Sequence, residues 1–562
     1  MRDYLRQQLR TVLDALDAVP DDFEIELEAP ARPEHGDLST NTALRLAGVL
    51  QDNPRSIAET LAERLRAAVD PHRVAAVEVA GPGFINFRFA TDYLYDELAD
   101  LLAAGAAFGR SDEGEGQRAL VEYVSANPTG PLTVGHGRNA VLGDTVANLL
   151  QWAGYDVTRE YYYNDAGRQM RVLAQSVRAR YEELTGAVAR EQRTLDDGTV
   201  VTVGETFPDD GYLGDYITDI ARSLQDEHGD ALLDEDTLRP FQDAAEEVIF
   251  AEIEATLERL NISMDTFFNE RSLYSDHRVE RVVERLKAAG YTYESDDALW
   301  FETTRFGKDS DTVLIKSTGE PTYRTPDIAY HADKFDRGFD VIIDVLGADH
   351  IATYPDVISA LEVLGYDADR VEVLLYQFVT LVRGGEPVKM STRRANYVTL
   401  DELIDEVGAD VTRFFFLMRA ASTHLDFDLD LAAEASDKNP VFYLQYAHAR
   451  ICSIFDKAVA EGLSLDDAPD LSVLTHDAET DLIKELLRFP TVIQRAAEAR
   501  APHYVATYLR DVATAFSQFY GHCHIIGEAE ALGTARLHLA HATRTVLANG
   551  LTVLGISAPE SM

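Results

Sequence analysis

Residues 119–139 read Ala119-Leu120-Val121-Glu122-Tyr123-Val124-Ser125-Ala126-Asn127-Pro128-Thr129-Gly130-Pro131-Leu132-Thr133-Val134-Gly135-His136-Gly137-Arg138-Asn139. Ala119 to Val124 is a short, mostly apolar run of the kind buried on both faces of a parallel sheet. Pro128, Gly130 and Pro131 impose a turn, and from about Gly137 to Trp152 the apolar residues recur at helical spacing. A buried strand that turns into a helix N-terminus offers unpaired N–H groups and the helix dipole to an anion such as phosphate. Gly135 lets the backbone approach that anion closely, and His136 can donate a hydrogen bond as charge builds on it.

Outward from this unit the pattern persists. Val157 to Tyr162, Val341 to Leu346 and Glu372 to Leu381 read as strands separated by helical segments, so residues 115–400 are expected to form a Rossmann-type parallel-sheet domain. Residues 186–240, rich in Asp, Glu and Gly, read as an insertion on that sheet. Residues 1–90 read as a small α+β domain: a helix through Leu5, Leu9, Val12, Leu13 and Leu16, a strand through Phe23, Ile25 and Leu27, a helical stretch from Asn41 to Arg66, and Val77 to Phe87 at its end. Residues 401–438 are expected to be a linker, and 439–562 a helical bundle. The fold class is therefore multidomain α/β.

The chain of 562 residues is 46% hydrophobic, too long for one core, and its longest apolar runs fall far short of a membrane span. The charged N-terminus lacks an apolar signal region, which places the protein in the cytoplasm. Cys452 and Cys523 stand far apart without CxxC spacing, so neither zinc nor a disulfide framework is expected. With 97 acidic against 51 basic residues the net charge is −46, and only eight of the basic residues are lysines. Such a surface suits high salt, where self-repulsion is screened. At about 1 M salt the Debye length is only about 3 Å, so the acidic balance does not exclude an RNA partner.

A second loop, Val388-Lys389-Met390-Ser391-Thr392-Arg393-Arg394, follows the tight turn at Gly384-Gly385. In a lysine-poor chain this is an unexpected concentration of positive charge, suited to a departing pyrophosphate. Further motifs stand in fixed order around the two loops: Tyr162-Tyr163-Asn164-Asp165-Ala166-Gly167-Arg168-Gln169, Tyr323-Arg324-Thr325-Pro326-Asp327 and Gly347-Ala348-Asp349-His350. Gly81-Pro82-Gly83-Phe84-Ile85-Asn86-Phe87 precedes them, and Asn439-Pro440-Val441-Phe442-Tyr443-Leu444-Gln445-Tyr446 follows.

Over nearly its whole length the chain thus resembles the arginyl-tRNA synthetase family, class I aminoacyl-tRNA synthetases with HIGH-type and KMSKS-type signatures. The resemblance implies ATP-dependent activation of L-arginine to arginyl-adenylate and transfer to the 3′ end of tRNA(Arg), releasing AMP and diphosphate. It also implies Mg²⁺ travelling with ATP, no metal held by protein side chains, no membrane partner and a monomeric state. It assigns catalysis to Gly135, His136, Lys389 and Ser391. ATP contacts fall to Thr133, Gly137, Asp349, His350, Gln377, Met390 and Arg393, and arginine contacts to Glu122, Asn127, Gln169, Tyr323 and Asp327. The HIGH-type signature spans Asn127, Pro128, Leu132, Thr133, Val134, Gly135 and His136. The first domain is expected to bind the tRNA elbow and the last the anticodon. Three positions depart from the pattern. Thr133 replaces the leading histidine, with Gly130 where many members carry lysine, and Thr392 replaces the later lysine of the second signature. Rival readings are another class I synthetase and a non-catalytic tRNA-binding paralogue; His136 and Lys389 together speak against the second.

Overall fold

The computed structural model describes residues 1–562 except 17, 18, 21, 31, 166, 195–197, 199, 389–397 and 466–468. Its centre is a parallel sheet of five strands: β1 (Arg118–Glu122), β2 (Asp156–Tyr163), β3 (Thr266–Asn269), β4 (Val341–Gly347) and β5 (Val371–Tyr376). Across the sheet they run β3-β2-β1-β4-β5, every neighbouring pair parallel. Strand order reverses between β1 and β4, and a doubly wound sheet opens a ligand crevice at the carboxyl ends of the strands there. Ala119, Leu120 and Val121 are fully buried, as the apolar run requires.

Helix α1 (Val134–Trp152) returns from β1 across the sheet. Gly143 lets it lie against the strand exit, since a Cβ there would sit 2.2 Å from the Tyr123 ring. Helices α2 (Gly167–Leu184), α3 (Asp215–His228) and α4 (Arg324–Asp336) follow, then α5 (Leu400–Val407) and α6 (Ala409–Leu417). The N-terminal ninety or so residues have their own core around Leu5, Leu9, Leu61, Ile85 and Phe87. Beyond residue 439 the chain is helical, ending in α7 (Glu530–Val553).

Several expectations are corrected. Phe23 to Leu27 is not a strand; only Glu28 bridges Ser39. The guanidinium groups of Arg10, Arg45 and Arg2 donate to the carbonyls of Phe23, Glu24 and Leu27, which therefore need no strand partner. The Asn41–Arg66 stretch is two helices, Thr42–Leu50 and Pro54–Ala68. Gln51 turns left-handed at φ 51°, and Asn53 caps the second helix. Glu372–Leu381 splits at Gln377 into β5 and a strand β6 (Val379–Arg383), because the Gln377 N–H donates to Ala421 O at 2.9 Å outside the sheet. The stretch expected as a linker, 401–438, carries most of α5, all of α6 and a strand β7 (Leu425–Asp428) parallel to β6. Residues 186–240 hold a hairpin, Arg190–Thr194 with Val200–Gly204, and α3, whose Ile217, Ile220, Ala221 and Leu224 are buried at helical spacing. Their apolar period was masked by the surrounding acids.

Candidate active site

At the exit of β1 the backbone is forced into an unusual path. Val124 and Ser125 take positive φ values of 66° and 42°, a region a β-branched valine adopts only when its surroundings impose it. Asn139 on α1 imposes it. Its Oδ1 accepts from Val124 N–H at 2.6 Å while its Nδ2 donates to Val345 O of β4 at 2.8 Å. The turn delivers Asn127 to the surface, where its Nδ2 donates to Gln169 Oε1 at 2.7 Å. Two residues expected to bind the same ligand are thereby joined. Pro128, Leu132 and Val134 are buried beneath the loop.

Thr133 caps α1, and His136 folds back on it. His136 Nδ1 accepts from Thr133 N–H at 3.2 Å, which leaves the proton on Nε2 as an outward donor. Burial lowers the His136 pKa, so this donor is the neutral imidazole. The two glycines beside it differ. A Cβ on Gly135 would meet only Thr133 Oγ1, at 3.7 Å, so that face is open to a ligand. A Cβ on Gly137 would strike Leu400 at 2.5 Å and Phe416 at 3.1 Å, so Gly137 serves helix packing.

The described residues on either side of the second loop are joined to the β1–α1 unit. After it, Leu400 N–H donates to Leu132 O at 2.8 Å and Thr399 bridges Thr133. Before it, Gln377 O accepts from Arg138 Nη1 at 2.6 Å. Lys389, Met390, Ser391 and Arg393 lie outside the described residues. Asp349 and His350 occupy the turn Ala348–Ala352 directly after β4, both exposed, at the carboxyl edge of the sheet.

On the other side of β1 stands an acidic pocket. Asp327, in the first turn of α4, is half-buried, and its carboxylate accepts no hydrogen bond and forms no ion pair among the described residues. Burial raises its pKa to about 7, and Glu270 and Glu122 push the same way against His331 and Arg324. Glu270, just past β3, is also raised by burial and accepts from Tyr162 Oη at 2.6 Å. Tyr162 packs on Tyr330 at 4.5 Å, forming an aromatic wall with Phe268. Tyr323 is 73% exposed at the rim.

Glu122 is more deeply committed than expected. It is 7% exposed, with Oε1 accepting from Ser125 Oγ at 2.9 Å and Oε2 from Lys334 Nζ at 2.6 Å. Lys334 also donates to Asp344, as does His331 Nε2. Because His331 Nδ1 donates to Asp327 O at 2.7 Å, both ring nitrogens are donors and the ring is an imidazolium. Burial and Lys334 oppose that charge, but Asp344 outweighs them and raises the His331 pKa. The buried charges beneath the pocket thus balance, and Asp327 and Glu270 remain as carboxylates with no cation paired to them among the described residues.

Sequence reasoning missed Glu270. The signal was present: Thr266-Phe267-Phe268-Asn269-Glu270 is an apolar run ending in polar residues, the mark of a parallel strand's carboxyl end. It also missed the charged layer under the pocket, whose members are scattered from residue 122 to residue 344.

Sequence profiles match along almost the entire chain. The arginyl tRNA synthetase N-terminal domain matches residues 3–89, the catalytic domain of class I (R) tRNA synthetases 97–415, and the DALR anticodon binding domain 444–562. The chain is 72% identical over 562 residues, all of both proteins, to the arginine–tRNA ligase of Salinibacter ruber. It is 51% identical over 538 residues to that of Desulfotalea psychrophila, covering 95% of this chain and 94% of the other. The arginyl-tRNA synthetase of Thermus thermophilus shares the fold over all of both chains, with a TM-score of 0.76 at 24% identity.

Proposed function

The chain belongs to the arginyl-tRNA synthetase family, and on that premise we propose how its own residues carry out arginine–tRNA ligation. The observation that carries the reading is Asp327: a half-buried carboxylate with no partner among the described residues, beside Glu270 and an aromatic wall, at the carboxyl edge of the sheet. A guanidinium supplies what this pocket lacks, five donors in a planar fork matched to carboxylates. Asp327 and Glu270 hold the guanidinium. Asn127 and Gln169 bound the amino-acid end, and Glu122, held by Lys334 and Ser125, braces the floor.

ATP takes the open face of Gly135 at the α1 N-terminus. The arginine carboxylate attacks the α-phosphate, and the bond to the β-phosphate oxygen breaks. His136 Nε2–H and the helix N–H groups receive the charge that develops on the phosphates, and Lys389 steadies the departing pyrophosphate. The ribose hydroxyl at the tRNA 3′ end then takes the arginyl group and AMP leaves. Positioning and charge carry the rate, since no side chain acts as nucleophile. Mg²⁺ enters with ATP as part of the substrate.

We assign the N-terminal domain to the tRNA elbow and the terminal bundle to the anticodon. There Tyr446 is 42% exposed and stacked on Phe442, and Arg450 lies over Tyr520. A cytoplasmic monomer working in high salt completes the proposal; no described helix is long and apolar enough to cross a membrane. Arginine-dependent exchange of pyrophosphate into ATP, measured in high salt with tRNA present, tests it. Exchange driven by another amino acid, or by none, overturns it.

A further inference from the structure

Among the largest fully buried side chains are three cations: Arg138, Arg413 and Lys334. Arg413 holds Asp144, and Lys334 holds Glu122 and Asp344. Arg138 holds no carboxylate among the described residues. Nη1 donates to Gln377 O at 2.6 Å, Nη2 to Ala420 O at 3.1 Å and Thr423 O at 3.0 Å, and Nε has no partner. The stretch 389–397, Lys-Met-Ser-Thr-Arg-Arg-Ala-Asn-Tyr, has no acid to offer it. In a chain with 97 acidic residues, a buried cation left to carbonyl dipoles is an anomaly. Burying an unneutralised charge is costly, and here burial pulls the guanidinium pKa down to about 10.

Its place in the fold explains the cost. Arg138 lies in the second turn of α1, two residues after His136, so its Cα is about 6 Å along the axis from the helix start. Its three acceptors belong to the junction before the second loop and to the segment after α6. That segment is itself woven to the junction: Gln377 N–H donates to Ala421 O and Leu425 N–H to Phe378 O. One side chain therefore ties the helix that carries His136 to the strand leading to Lys389.

We propose that Arg138 is a positioning residue for the nucleotide. It holds the α1 N-terminus against the junction at Gln377 and the segment after α6, and places behind that terminus a positive charge that no described carboxylate cancels. ATP and pyrophosphate gain from that charge; arginine, on the far side of β1, does not. This rests on the assignment of the α1 N-terminus as the triphosphate seat.

The test is pyrophosphate exchange by full-length Arg138→Gln and Arg138→Lys, with inorganic pyrophosphate as the anion probe and His136→Ala as the reference. Arg138→Gln is expected to raise the KM for ATP and the inhibition constant of pyrophosphate about 10–100-fold, with the arginine KM within about 3-fold. Arg138→Lys keeps charge without the fork, so its pyrophosphate constant should stay within about 5-fold while its ATP KM rises about 10-fold. A folded Arg138→Gln with unchanged ATP and pyrophosphate constants overturns the proposal, as does a loss shared equally by arginine. If Arg138→Gln does not fold, the lysine variant decides: selective loss for ATP supports the proposal and equal loss for both substrates overturns it. Exchange untouched in His136→Ala would instead show that the triphosphate seat itself is misassigned.

Discussion

Asp327 concentrates the chemistry of the pocket in one side chain. Replacing it by alanine removes a charge-assisted contact to the guanidinium. The arginine KM should rise about 10–100-fold while the ATP KM stays within a few-fold, as steady-state exchange kinetics will show. A loss shared equally by both substrates would take Asp327 out of the pocket. Its pKa of about 7 adds a pH test. Guanidinium binding needs the ionised carboxylate, so the arginine KM should fall as pH rises from 6 to 8, a trend Asp327→Asn should lack. Stability runs the other way. The folded pKa lies above the ordinary carboxylate value, so the native state binds this proton more tightly than the unfolded chain. It therefore loses stability as pH climbs from about 4 through 7. Thermal melts of ligand-free Asp327→Asn should show a gain on the order of 1–3 kcal/mol at pH 8 that vanishes near pH 3.

Helix α3 of the 186–240 stretch braces the turn between β1 and α1. Tyr216 Oη donates to Thr129 O at 2.6 Å, and its phenol stands 3.0 Å from where a Gly130 side chain would begin. Arg168, next to Gln169, pairs with Asp210 of the same insertion at 2.6 Å. Gly130 thus makes room for a tyrosine. Tyr216→Phe should lower stability by about 1 kcal/mol and raise the arginine KM a few-fold through the displaced Asn127; unchanged kinetics would confine the contact to stability. None of this was legible in the sequence. Residue 216 lies 87 positions beyond Thr129, and although Ile217, Ile220, Ala221 and Leu224 carry a helical period, nothing local says which distant segment that helix meets. The β1–turn–α1 unit was legible because every signal within it is local.

At the scale of the molecule, Arg413 joins three parts. It reaches Asp144 on α1, donates to Leu554 O just past α7 at 2.9 Å, and donates to Leu260 O at 2.7 Å. Its guanidinium fills the space a side chain on Gly555 would need. Arg413→Met leaves Asp144 with a weaker set of partners, so denaturant unfolding should show a loss of about 3–5 kcal/mol. A loss under about 1 kcal/mol would mean that Arg159, 3.5 Å from Asp144, suffices alone. The net charge of −46 sets a second expectation. Activity and melting temperature should both rise as salt increases from 0.1 M toward 1 M, because screening removes self-repulsion. A monotonic fall of both would argue against salt adaptation.

Composition, local period and contiguous motifs were enough to determine the parallel α/β core and the helical C-terminus, and to single out the strand–turn–helix at 119–139 and Asp327 as candidates. Each depends on residues within a turn or two of one another. Glu270 beside Asp327, Lys334 under Glu122, Tyr216 on Gly130 and an Arg138 with no carboxylate among the described residues were decided by tertiary structure. Whether a buried charge is paired depends on which distant segments meet around it, and local pattern carries no record of that meeting.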